Sequence, residues 1–65
     1  MVDSSNVEAV GYDPEGREIY VRFLGGRTYA YGEADERTFD ELRTADSVGS
    51  YLNRVLKPNH PYREL

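Results

Sequence analysis

The sequence contains no cysteine and no tryptophan, and it has a single histidine, His60. Without cysteine there is no disulfide and no thiolate metal site, and one imidazole is too few for a histidine metal cluster. Because no Ser-His-Asp or Cys-His set can be assembled around His60, which we expect to be an exposed tail residue, we predict a protein that is not an enzyme and binds no cofactor.

Long apolar runs are also missing, so the sequence has no candidate membrane span and we expect no membrane partner. Residues 1–5 lack the basic and apolar regions of a signal peptide. We therefore expect a cytoplasmic location. The net charge of −4 opposes non-specific attraction to nucleic acid, although the acids concentrate in residues 32–56 and the segment from Lys57 onward is slightly positive.

A chain of 65 residues is expected to form one small domain over residues 1–65, with room for one compact core. That core must come from a limited apolar set, together with six tyrosines: Val7, Val10, Ile19, Val21, Phe23, Phe39, Leu42, Val48, Leu52, Val55 and Leu56. Stability is therefore expected to be marginal.

The first half of the chain carries strand signals at about residues 6–12, 18–23 and 27–31. The segment Asp13-Pro14-Glu15-Gly16 is typical of a tight turn, and Gly25-Gly26 marks a hairpin. The second half switches to helical spacing, which predicts helices at about residues 35–45 and 47–56 with Asp35 and Ser47 as N-caps.

Pro58 is predicted to end the second helix and to leave residues 57–65 as an extended tail, which Tyr62 and Leu65 can dock onto the sheet. The predicted fold class is α+β. A three-stranded antiparallel meander carries two C-terminal helices packed on one face, in the order β-β-β-α-α.

Tyr29 and Tyr31 lie two residues apart and point to the same face of their strand. A two-residue turn at Gly25-Gly26 would place both on the uncovered sheet face beside Tyr20 and Arg22. A three-residue loop shifts the pairing by one and places both under the helices. Because the first register leaves the third strand little to contribute to the core, burial is favoured.

Several short motifs, in order along the chain, resemble those of the KTSC domain, a small bacterial domain named from its occurrence at the C-terminus of some lysyl-tRNA synthetases. They are Ser4-Ser5-Asn6-Val7, Val10-Gly11-Tyr12-Asp13, Val21, Phe23, Gly26, Tyr29-Ala30-Tyr31, the stretch from Ala45 to Asn53, and Pro61-Tyr62. The chain departs from the family pattern at Ala34-Asp35, Phe39 and Leu52. The resemblance implies an uncharacterised role and a suggested RNA-binding function, which rests on the fusion to a synthetase.

The leading hypothesis is accordingly a non-catalytic module that binds RNA, with tRNA as one candidate. In it Tyr12, Tyr29 and Tyr31 stack on bases, and Arg54, Lys57 and Arg63 contact phosphates, with Tyr62 in the same cluster. Ser47 and Gly49 open a helix that can hold an anion, and Asn53 either bonds the backbone of a loop or faces a ligand.

The rival hypothesis is a protein–protein interaction module. It would act through a tyrosine-rich sheet face or an exposed edge strand, since interfaces favour Tyr and Arg and an open edge can pair with another chain. The sequence leaves the oligomeric state open, with a monomer favoured.

Overall fold

The computed structural model describes residues 7–65 and has an antiparallel four-stranded sheet whose strands lie in chain order. The strands are β1 (Val7–Asp13), β2 (Glu18–Phe23), β3 (Thr28–Tyr31) and β4 (Tyr62–Glu64). Two helices follow β3, namely α1 (Glu36–Arg43) and α2 (residues 48–59). The predicted α+β class is confirmed, but the prediction of three strands is wrong. Residues 1–6, which include most of the first KTSC-like motif, lie outside the described residues.

The fourth strand comes from the tail. Tyr62 pairs with Tyr31, and Glu64 pairs with Tyr29. The pairing is held at one end by the Gly32 N–H, which donates to the Pro61 carbonyl at 2.7 Å, and at the other by the Leu65 N–H, which donates to Thr28 at 2.8 Å. The strand has only three residues and all of them are exposed. Backbone pairing and the Tyr62 ring therefore hold this strand in place. Because no residue of the strand is buried, its sequence shows no alternation of apolar and polar side chains.

The β2–β3 hairpin uses the longer of the two loops considered above. The Phe23 N–H donates to Arg27 at 2.8 Å, so residues 24–26 form a three-residue loop. Gly25 and Gly26 have φ values of 99° and 95°, which side chains with a Cβ rarely adopt. Tyr29 consequently pairs with Val21, and Tyr31 with Ile19. Both tyrosines lie on the helix-covered face, which is the placement that the need to fill the core favoured.

The core lies between the sheet and the two helices. Its buried members are Ile19, Val21, Tyr31, Ala34, Leu42, Leu52 and Leu56. A hydrogen bond at the surface links α1 to α2: the Tyr51 hydroxyl donates to a Glu41 carboxylate oxygen at 2.8 Å. Desolvation and this hydrogen bond raise the pKa of Tyr51 to about 12. Among residues 7–65, no helix is long and apolar enough to cross a membrane.

Helix α2 continues past the predicted end at Leu56. It begins as an α-helical turn at Val48–Tyr51, widens into a π-helical turn at Leu52–Leu56 and closes with a further turn at Lys57–Asn59. In the wide turn the Lys57 N–H donates to Leu52, five residues back. A proline normally ends a helix because its ring meets the carbonyl four residues earlier. The wider turn relieves that clash, so Pro58 is accommodated and the helix extends to Asn59.

Asp35 and Ser47 are the N-caps of the two helices, as the sequence predicted. The Asp35 carboxylate accepts from the Thr38 N–H at 2.8 Å and from the Thr38 hydroxyl at 2.7 Å. These two hydrogen bonds hold the pKa of Asp35 below its usual value of 3.8. The pKa of Asp35 is lower in the folded state than in the unfolded state, so the ionised cap stabilises the fold at every pH above the unfolded-state pKa. This stabilisation is lost as the pH falls through the folded-state pKa.

The variant Asp35→Asn keeps a capping oxygen but removes this titration. We expect its stability to fall less than that of the wild type between about pH 5 and pH 2. Urea denaturation at several pH values measures the difference. Asp46→Asn is the control, since the Asp46 carboxylate makes no hydrogen bond among the described residues. Parallel pH profiles for wild type and Asp35→Asn would contradict the assignment.

Candidate functional site

An open groove of about 450 Å³ lies between the sheet and the C-terminal end of α2, on the helix-covered side. Its volume falls within the range of about 300–1,000 Å³ typical of small-molecule sites. The lining combines four aromatic rings with two cations: Phe23, Tyr29, Tyr31, Tyr62, Arg27 and Lys57. Strands β2, β3 and β4 supply the rings. The arginine lies between the three-residue loop and β3, and the lysine lies on α2.

The four rings form one continuous aromatic wall. Phe23 meets Tyr29 edge-on at 5.7 Å between ring centroids, and Tyr62 lies 5.9 Å from Tyr29 and 5.6 Å from Tyr31. Such pairs contribute about 0.5–1.5 kcal/mol each beyond burial. Tyr62 remains 59% exposed, so its ring is free to stack with a bound planar group.

Arg27 and Lys57 give the groove local positive charge. Neither forms an ion pair with a described residue, whereas the ion pairs of the described chain join Arg37 to Glu41, Arg43 to Asp40 and Arg63 to Glu18. Glu64 lies on the same sheet face, paired with Tyr29, but does not line the groove. The net charge of −4 therefore coexists with two cations beside an aromatic wall.

Tyr31 carries the one hydroxyl group of the core. Its side chain is 2% exposed, and its hydroxyl makes no hydrogen bond with residues 7–65. Among these residues no polar side-chain atom is both fully enclosed and unpartnered, so the hydroxyl is not sealed from solvent, and Tyr31 lines the groove. Burial raises the pKa of Tyr31, and the neighbouring phenols of Tyr29 and Tyr62 raise it further.

Of the predicted site residues, Tyr29, Tyr31, Lys57 and Tyr62 come together in the groove. Tyr12 lies elsewhere: its ring stacks on Phe39 at 5.5 Å and its hydroxyl donates to the Ala34 carbonyl at 3.1 Å. Because both its ring face and its hydroxyl are engaged within the fold, Tyr12 belongs to the packing of α1 on the sheet.

The residues predicted at the start of α2 are engaged with the helix itself. The Ser47 hydroxyl accepts from the Ser50 N–H at 3.2 Å, and Gly49 is buried. The Asn53 amide donates to the Gly49 carbonyl at 3.1 Å. The bond is internal, but its acceptor lies one turn back in the same helix and not in a loop, which was the predicted location. The position of Asn53 in mid-helix is explained by this bond at the start of the π-helical turn.

Arg54 and Arg63 also lie outside the groove. Arg54 is exposed on α2, and Arg63 points to the opposite face of the sheet, where it pairs with Glu18 at 3.3 Å. The Tyr20 hydroxyl donates to the same carboxylate at 3.1 Å, which raises the pKa of Tyr20. Since Tyr29 and Tyr31 are on the other side, Tyr20 is the one tyrosine of the described strands on this open face.

His60 differs from the expectation of an exposed tail residue. It is half-buried, and its Nδ1 lies 3.0 Å from the Gly32 carbonyl oxygen. Since a carbonyl oxygen can only accept, this hydrogen bond requires a proton on Nδ1. His60 therefore helps to fix the start of β4 beside the turn that follows β3.

Phe23 and Arg27 are the groove residues that sequence reasoning missed. Phe23 was assigned only to the core, and Arg27 to the beginning of a strand. The three-residue loop makes these two residues a pair across the hairpin end, next to Tyr29. One of the two hairpin registers weighed from the sequence places Phe23 and Arg27 opposite each other. Without the structure, however, the choice between the two registers stays open.

Comparison with known proteins places the chain in a family. The KTSC domain family matches residues 3–62, and the chain belongs to this family, as the motifs predicted. A relative from Tsukamurella paurometabola, named only "Protein", is 46% identical over 57 residues, which are 88% of this chain and 85% of the relative. A relative from Stutzerimonas stutzeri, named "Uncharacterized protein", is 37% identical over 59 residues, which are 91% of this chain and 83% of the relative.

A solved structure supports the same assignment. The crystal structure of a KTSC domain protein from Yersinia pestis is similar to this fold with a TM-score of 0.86 and 32% sequence identity. The match covers 98% of this chain and 90% of the Yersinia pestis chain. Sequence and fold thus agree on a KTSC domain, while the names of these relatives state no activity.

Proposed function

We propose that this domain is an RNA-binding module that holds a single-stranded segment in the aromatic groove. The observation that carries the proposal is the combination of four rings with two cations in one groove, Arg27 and Lys57, which form no ion pair within residues 7–65. Single-stranded nucleic acid presents this pair of features, since each nucleotide has a planar base and an anionic phosphate.

The energies of the two kinds of contact are complementary. A base stacked on an aromatic side chain contributes about 1–3 kcal/mol, and Tyr62 has the most exposed ring for this purpose. Two phosphate contacts, from Arg27 and Lys57, add an attraction that weakens with salt. With one exposed ring and two cations, the groove suits a contact of one or two nucleotides.

The rival proposal of a protein-interaction module has less support. A tyrosine-rich open face would need Tyr29 and Tyr31 beside Tyr20, and these two rings pack on the other side of the sheet. The edge strands β1 and β4 remain candidates for pairing with another chain. Such binding would depend on backbone pairing and would be only weakly sensitive to salt.

Salt dependence is the sharpest test of the phosphate contacts. For a fluorescently labelled oligouridine, two contacts predict that log K falls with log salt at a slope of about −1.4. The variant Lys57→Ala is expected to reduce this slope to about −0.7, because one contact is removed. Fluorescence anisotropy over a range of NaCl concentrations gives both slopes.

Arg54→Ala is the matched control, since Arg54 is an exposed cation on the same helix that does not line the groove. It is expected to leave the slope unchanged. Equal slopes for wild type and Lys57→Ala would contradict a phosphate contact at Lys57. Absence of binding at low salt, where attraction is greatest, would refute RNA binding and direct the search to protein partners.

A further inference from the structure

Within residues 7–65, the hydroxyl of Tyr31 makes no hydrogen bond that a phenylalanine would lack. The ring is buried in the core, but the oxygen makes no hydrogen bond with the described residues, and Tyr31 lines the groove. A core position that gains nothing from an oxygen is normally occupied by an apolar side chain. A tyrosine phenol is protonated at neutral pH, since its ordinary pKa is about 10, so it is available as a hydrogen-bond donor.

The groups around this hydroxyl define what it can bind. Arg27 and Lys57 carry only donors, and the phenols of Tyr29 and Tyr62 can also donate. Because all five of these side chains, with Tyr31 included, can donate a hydrogen bond, an acceptor is the ligand group that every one of them can bind. Tyr31 lies at the buried floor, where a phosphate would lose its hydration at high cost, whereas a neutral carbonyl oxygen is desolvated more easily.

We infer that Tyr31 is the specificity-determining residue of the groove, donating a hydrogen bond to a base carbonyl oxygen of the bound nucleotide. The inference rests on the proposed RNA-binding function and adds a base preference to it. The carbonyl oxygens of uracil project beyond the ring, whereas the acceptors of adenine are nitrogens within its rings. A donor at the floor of the groove therefore reaches an acceptor of uracil more readily than one of adenine. The base stacks on the wall at Tyr62, and its phosphate lies at the rim with Arg27 and Lys57.

The test compares oligouridine with oligoadenylate of the same length, for the wild type and for Tyr31→Phe. Wild type is expected to prefer oligouridine, and Tyr31→Phe is expected to reduce the ratio of the two affinities by about threefold to tenfold, the value of one neutral hydrogen bond. Stacking within the free oligonucleotides cancels, because the same two ligands are used for each protein. Tyr20→Phe is the control, since its hydroxyl lies on the opposite face, and it should leave the ratio unchanged.

Stability separates a binding role from a structural one. Because no hydrogen bond to the described residues is lost, Tyr31→Phe is expected to melt at the temperature of the wild type or above it. An unchanged affinity ratio, with RNA binding retained, would overturn this inference and leave the proposed function standing. An equal loss for both oligonucleotides would overturn it as well, since Tyr31 would then act through the fold. Failure of the wild type to bind either oligonucleotide would refute both proposals.

Discussion

Replacement of both groove cations by glutamate, in the double variant Arg27→Glu/Lys57→Glu, is expected to abolish RNA binding at all salt concentrations. Each substitution removes an attractive contact and introduces repulsion between a carboxylate and a phosphate. Because the domain already has a net charge of −4, only local cations favour an anionic ligand. Fluorescence anisotropy with labelled oligouridine measures the loss, and circular dichroism verifies the fold.

The matched control is Arg22→Glu/Arg54→Glu. Both arginines are exposed and outside the groove, and this double variant has the same net charge as the first. A general effect of charge would weaken RNA binding equally in the two proteins. We expect the control to retain most of the affinity. Equal losses would contradict a local site and indicate that RNA responds only to overall charge.

Truncation of the core at Leu56 is expected to have the largest effect on stability. Leu56 is 0% exposed and packs with Ile19 and Val21 in the central cluster. Leu→Ala at such sites costs about 2–5 kcal/mol. A domain of this size rarely has more than about 3–5 kcal/mol in total, so Leu56→Ala is expected to be largely unfolded.

Leu24→Ala is the control for this prediction, because the Leu24 side chain in the β2–β3 loop is 59% exposed. Its free energy of unfolding should stay close to that of the wild type. Urea denaturation followed by circular dichroism compares the three proteins. Similar midpoints for Leu56→Ala and Leu24→Ala would contradict the assignment of Leu56 to the core.

Local signals in the sequence predicted the starts of the helices well. Asp35 and Ser47 are N-caps because each side chain bonds an N–H group three residues later, and that requirement is visible in a few consecutive residues. The end of α2 was not predictable in this way. The π-helical turn at Leu52–Leu56 precedes Pro58, and a proline in the sequence indicates the end of a regular helix, not a wider turn.

Strand pairing, in contrast to the starts of the helices, could not be predicted from local signals. Gly25-Gly26 is compatible with two hairpin registers, and the choice between them depends on filling the core rather than on the turn itself. The fourth strand shows no alternation of apolar and polar residues that would reveal it, since its three residues are exposed. Once the strand is known, its geometry separates two predicted site residues: neighbours in a strand point to opposite faces, so Tyr62 and Arg63 do not share one site.

The sequence predicted three of the four aromatic residues of the groove, but only one of its two cations. Tyr29, Tyr31 and Tyr62 were named from the sequence, as was Lys57, and all four line the groove. Arg27 was missed because its position beside the rings depends on the hairpin register. Cations are placed by tertiary structure, whereas a strand motif such as Tyr29-Ala30-Tyr31 defines a shared face by itself.

The most direct test of the proposed RNA site is an NMR titration of the isotopically labelled domain with bulk tRNA, at low salt and again near physiological salt. The groove predicts chemical-shift changes at Arg27, Tyr29, Tyr31, Lys57 and Tyr62 that diminish as salt is added. Shifts confined to the open face, at Tyr20, Arg22 and Arg63, would contradict the groove as the binding site. An unchanged spectrum at low salt would contradict RNA binding altogether.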